Sequence, residues 1–179
     1  MNFLVLGVGN IMFADEGLGV HLCKLISKNY AFSHPSYRLD FIDGGTLGLR
    51  LSYLIAKYDK MVLLDCLEAD DGEVGEVFFF PYEAMPAKVS FSGSAHEVEM
   101  LQTLQYMELA GDLPQTHILG FIPKRIEPMS FELSAQALKA AFAMEQSLLN
   151  FLQNEGFTHQ KIANFTLQEL ALKSYKNED

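Results

Sequence analysis

Cysteine is scarce in this chain. Only Cys23 and Cys66 occur, 43 positions apart and outside any C-x-x-C pair, which excludes a disulfide framework and a zinc ribbon and fits a reducing cytoplasm. Positive charge is also short: 13 Lys and Arg stand against 23 Asp and Glu, for a formal charge of −10. Binding to nucleic acid or to an anionic membrane depends on Lys and Arg neutralising phosphates, so neither partner is expected. No apolar run reaches the roughly 18 residues of a membrane helix. The N-terminus enters an apolar segment at Phe3 without a basic stretch and cleavage site, so no export signal is expected either.

What remains is an ordinary globular composition, 49% hydrophobic and 20% charged over 179 residues, without repeats or low-complexity tracts. That length fits one core without covalent staples. The expected organisation is a single domain over residues 1–155, followed by a polar C-terminal extension, 156–179, with helix as its candidate structure.

Hydrophobic patterning gives an alternating path. Phe3 to Val8 is a short unbroken apolar run, as expected of a strand buried on both faces. Val20, Leu22, Cys23, Leu25 and Ile26 recur at helical spacing up to Asn29, before a turn at Ser33-His34-Pro35-Ser36. A second strand over Tyr37–Ile42 ends at Asp43-Gly44-Gly45-Thr46, and Leu47, Leu51, Leu54 and Ile55 mark a helix. Met61–Leu64 is a third strand with Asp65 at its carboxyl end. Val74–Phe80 follows too closely for a crossover helix and is expected to run antiparallel. Ser94-Ala95-His96-Glu97 reads as a capping box opening a helix to about Leu109. His117–Ile122 is a fifth strand, and Ser134–Phe151 a long helix with an apolar stripe of Leu138, Ala141, Phe142, Leu148, Leu149 and Leu152. The alternation predicts an α/β domain with a mostly parallel sheet.

The turn after the first strand carries the strongest chemical signal. Gly7-Val8-Gly9 imitates the start of a dinucleotide fingerprint, but residue 12 is Met where a third Gly is needed, and no acid lies at the usual offset. Instead Asp15 and Glu16 sit where phosphate would bind, and paired carboxylates repel anions and attract a cation. In an open α/β sheet, ligands gather beyond the carboxyl ends of strands. Glu16, Asp65 and His96 fall at such places, although 49 and 31 residues separate them. Two carboxylates and an imidazole suit a borderline divalent ion such as nickel or zinc, and the helix N-terminus keeps His96 neutral for coordination.

Structural roles compete with this reading. Asp15 is a candidate N-cap with Glu16 in the first turn, Asp65 a turn former, His96 a first-turn residue and Asp43-Gly44-Gly45 a turn needing positive φ. Gly17 and Gly19 are candidates for close packing. Cys66 has no adjoining base, Ser92 and Ser94 lack a triad context, and His21, His34, His117 and His159 are read as structural or exposed.

Several ordered motifs together, LGVGNIMFADEGLGV (6–20), DGGTLG (43–48), LLD ending at Asp65, SAHE (94–97) and GFIPKRIEP (120–128), resemble the hydrogenase maturation endopeptidases over roughly residues 2–150. These proteases trim the C-terminus of the large subunit of nickel-iron hydrogenases. The resemblance implies a five-stranded twisted sheet, mostly parallel with one antiparallel strand and helices on both faces. It implies that Glu16, Asp65 and His96 are both the catalytic and the metal-contacting residues. The metal is then nickel carried by the precursor, which is the partner, and the cut follows a His or Arg beyond its last metal-binding cysteine motif. Asp43, Gly44 and Gly45 are assigned to the substrate backbone, and Lys124 and Arg125 are candidates for tuning selectivity. The alternative is a noncatalytic nickel-binding chaperone of hydrogenase maturation.

Overall fold

A computed structural model of the chain describes residues 1–90, 95–124 and 126–176, with the side chains of 90, 95–98 and 174–176 outside that set. In chain order the elements are β1 (Asn2–Val8), α1 (Leu18–Asn29), β2 (Tyr30–Ser33), β3 (Arg38–Gly45), α2 (Ser52–Ile55), β4 (Lys60–Cys66), β5 (Glu68–Ala69), β6 (Val77–Pro81), β7 (Val89–Ser90), α3 (Ala95–Ala110), β8 (Gln115–Phe121), α4 (Ala135–Asn154), β9 (Thr158–Lys161) and α5 (Leu167–Lys176). The central sheet has the order β3-β1-β4-β8-β6. Its pairs are parallel except β6 with β8, which is antiparallel. This is the α/β fold expected from the sequence.

Alternation along the strands builds two apolar layers. From β1, Phe3 and Val5 join the layer under α1, α4 and α5, whereas Leu4, Leu6 and Val8 join the layer under α2 and α3. Helix α1 lies close on the sheet because it meets it through glycine: a Cβ on Gly19 would overlap the carbonyl oxygens of Leu64 and Val8. Gly19 thus serves the packing role open to it in the sequence.

Four of the six residues expected in the apolar stripe of α4, Ala141, Leu148, Leu149 and Leu152, are buried, and two are not. Leu138 and Phe142 are 40% and 66% exposed, while Ala137, Ala140, Ala141, Met144 and Leu148 face the core. Ala137 and Ala140 complete the inward face beside Met144, and their small side chains let the helix axis approach the sheet. The segment between Asn29 and the Ser33-containing turn is also more regular than expected. Tyr30–Ser33 forms β2 and pairs antiparallel with β9. Beyond Gly156, Phe157, Leu167 and Leu170 are buried in the α1/α4 layer.

After β1 the chain turns through α1 to β3 on one side, then crosses through α2 to β4 on the other. The carboxyl ends of β1 and β4 therefore flank the switch point, the crevice where open α/β sheets bind ligands. Among the described residues no helix is long and apolar enough to cross a membrane.

Candidate active site

Glu16 and Asp65 meet at this switch point. Strand β1 ends at Val8, and the next residue, Gly9, carries the chain into the turn with a φ of +130° while its N–H donates to the Gly45 carbonyl at 3.0 Å. A Cβ at Gly9 would overlap the carbonyl oxygen of Glu16, so glycine is what lets the following 3-10 turn, Ala14–Gly17, fold back over the strand end. Asp65 is the penultimate residue of β4, opposite Gly120 of β8. Its Oδ1 accepts from the Cys66 N–H at 2.8 Å.

Both acids are 2% exposed and line one cavity of about 10 Å³, together with Gly9, Gly45, Thr46, Gly48 and Met100. That volume is room for one water molecule or a single ion. The lining contains no Lys, Arg or His among the described residues. Glu16 Oε1 is buried without a hydrogen-bond partner among them. Burying a carboxylate oxygen without a partner is costly, and a cation in the cavity would offset that cost. The donor set is two hard oxygens, and among the described residues no third His, Cys, Asp or Glu completes a metal-holding cluster.

The side chain of His96 lies outside the described residues, as does the capping box at Ser94. Position 96 is in the first turn of α3, one turn before Met100 of the cavity wall. Gly45 lines the cavity at φ +51°, and its N–H donates to Asp43 Oδ1 at 2.9 Å, so Asp43 folds the loop that brings Gly45 there. Asp43 itself is exposed, and Gly44 is packed against Leu6 and Leu51. Lys124 is exposed and Arg125 lies outside the described residues.

Asp15 does not cap α1, and it turns away from the cavity. Its Oδ1 accepts from the Ser134 N–H at 2.7 Å, and its Oδ2 accepts from the Lys124 N–H at 3.1 Å and the Ser134 hydroxyl at 2.8 Å. Ser134 Oγ in turn accepts from the Ala137 N–H as N-cap of α4. The adjacent acids thus divide the work: Asp15 ties the β1 turn to the β8–α4 loop, and Glu16 faces the cavity. Thr46, Gly48 and Met100 are the wall residues not singled out from sequence. Their only signal is position, two just after the D-G-G loop and the third one turn after His96.

The other reactive groups are inert by environment. Cys23 is buried, its thiol pushed up to about 12 by desolvation, with Sγ directed at the carbonyls of Val5 and Ile42. Cys66 is buried with Sγ donating to the Asp15 carbonyl at 3.4 Å. His21 is buried in α1, its imidazole pushed down to about 4 by desolvation and secondarily by Lys24.

The family model for hydrogenase maturation proteases matches residues 20–151. Protein HydD of Wolinella succinogenes is 44% identical over 158 residues, 88% of this chain and 99% of that protein. Hydrogenase 2 maturation protease of Escherichia coli is 30% identical over 129 residues, 72% of this chain and 77% of that protein. The solved structure of the hydrogenase maturating endopeptidase HybD from Escherichia coli superposes with a TM-score of 0.77 at 26% identity, covering 90% of this chain and 98% of that one. The motifs, the sheet order and these likenesses converge: the chain belongs to the hydrogenase maturation protease family and is a peptidase.

Proposed function

We propose that this protein is an endopeptidase that removes the C-terminal peptide from a nickel-loaded large-subunit precursor of a nickel-iron hydrogenase, and that Glu16, Asp65 and His96 contact the nickel the precursor carries. One observation supports this above others. Two carboxylates 49 residues apart share a buried cavity sized for a single ion, and one of their oxygens has no hydrogen-bond partner among the described residues.

The proposed chemistry follows from that arrangement. An incomplete ligand set holds a free ion weakly but completes the shell of an ion already seated in substrate thiolates, so binding depends on loading. Nickel supplies Lewis acidity near the scissile carbonyl. A carboxylate from the pair accepts the proton of the attacking water, which removes the need for a Ser or Cys nucleophile. Gly45, without a side chain on the cavity wall, leaves the substrate backbone room to approach.

Mass analysis of nickel-loaded and nickel-free precursor after exposure to the protein tests the proposal. Shortening of the loaded form alone is expected. Equal cutting of both forms would refute metal gating, and an unchanged mass for both would refute the activity. Asp65→Ala is expected to leave the tail attached.

A further inference from the structure

The face of α3 that reaches the cavity through Met100 continues into a surface groove. Its walls are Leu49 and Tyr53 from the loop and helix after β3, and Tyr106, Met107 and Ala110 from α3, enclosing about 360 Å³. Tyr53 and Tyr106 are 78% and 59% exposed. Exposed aromatic side chains gathered on one concave surface mark an interaction site more often than scattered ones do. The Tyr53 ring is held by Lys57, whose Nζ stands 4.2 Å from the ring centroid. Asp112 closes the far end, and no ion pair engages it among the described residues.

The groove and the cavity share two lining elements, α3 and the segment that starts at Gly48. Gly48 lines the cavity and the next residue, Leu49, lines the groove. Along α3, Met100 stands in the cavity wall and Met107 and Ala110 in the groove wall, so the two are offset by about 10 to 15 Å at 1.5 Å per residue. An extended polypeptide covers that distance in roughly three to five residues.

Resting on the function proposed above, we infer that this groove is the docking channel for the precursor polypeptide, taking a bulky apolar side chain three to five residues from the scissile bond. The groove's place beside the cavity, about 10 to 15 Å along the same helix, names the occupant. Its aromatic walls set the apolar preference, and Asp112 favours a cationic residue just beyond. Cleavage specificity then has two separated parts, an ion read by the acids and a side chain read by the tyrosines.

The test uses full-length protein and nickel-loaded precursor, with kinetics of cutting and direct binding of uncut precursor. Tyr106→Asp and Tyr53→Asp are expected to raise KM and Kd about tenfold or more with kcat within about twofold, the size of loss typical for a buried aromatic anchor. Phe142→Asp, equally exposed but on α4 across the sheet, is expected to change neither. Serine replacement of each apolar precursor residue within eight positions of the junction is expected to reveal one, three to five residues away, whose loss adds nothing to Tyr106→Asp. Unchanged KM and Kd in both tyrosine variants, or additive losses at every precursor position, would overturn the inference. Wild-type protein that binds precursor through the tyrosines but never cuts it would overturn the proposed function and leave the groove standing. Failure to bind as well as to cut would overturn both.

Discussion

At the residue scale, burial decides which polar groups serve stability and which do not. Glu16 opposes folding, since its buried carboxyl has one oxygen without a hydrogen-bond partner among the described residues. Glu16→Gln is expected to stabilise the free protein by about 1 kcal/mol, seen as a melting temperature higher by roughly 2–4 °C, while abolishing precursor cutting. A lower melting temperature would contradict that account. His21 gives a pH signature. Its imidazole titrates near 4 in the folded protein and near 6.5 when unfolded, so the unfolded chain takes up the proton first. Stability from this residue is complete above pH 6.5 and is lost as pH falls towards 4, by about 3 kcal/mol in all. Urea midpoints at pH 7 and pH 5 should therefore lie further apart for wild type than for His21→Met. Equal spacing would show that His21 is not the sensor. The sequence made Glu16 and Asp65 legible as strand-end acids, because strand ends can be read from apolar runs. It did not separate Asp15 from Glu16, since the partners of Asp15 lie 109 and 119 residues away.

At the scale of elements, period and punctuation carried most of the information. The five central strands are short apolar runs bounded by Gly, Pro or acidic turns, and each was recognisable on that ground. Strand β2 was not, because Tyr30–Ser33 pairs only with β9 near the other end of the chain. The apolar stripe of α4 is legible at Ala141, Leu148, Leu149 and Leu152, but bulk also suggested Leu138 and Phe142, which lie outside the contact that Ala137 and Ala140 make with the sheet. The same close approach governs α1. Gly19→Ala forces a methyl group into the backbone of β1 and β4, neither of which can yield as a side chain would. It is expected to cost about 2 kcal/mol or more, measured by chemical denaturation, with the deficit absent for Ser27→Ala on the outer face of the same helix.

For the whole molecule, two apolar layers hold the sheet whose strand ends carry the acids. Residues after Gly156 contribute β9 and the buried Phe157, Leu167 and Leu170. Ending the chain at residue 155 is expected to lower the melting temperature by roughly 10 °C or more, because each large buried side chain contributes about 1.5–3 kcal/mol and β2 loses its partner. An unchanged melting curve would show that the segment is dispensable. The polar composition of this segment concealed those contacts, for a few well-spaced apolar residues suffice to dock a short helix. The bonds from Asp15 to Lys124 and Ser134 carry one more consequence, in time rather than space. The turn bearing Glu16 is synthesised more than 100 residues ahead of the amides that anchor its neighbour. A chain made only as far as β8 therefore holds this turn without its anchor, and the proposed site is set only once the β8–α4 loop has folded back on it.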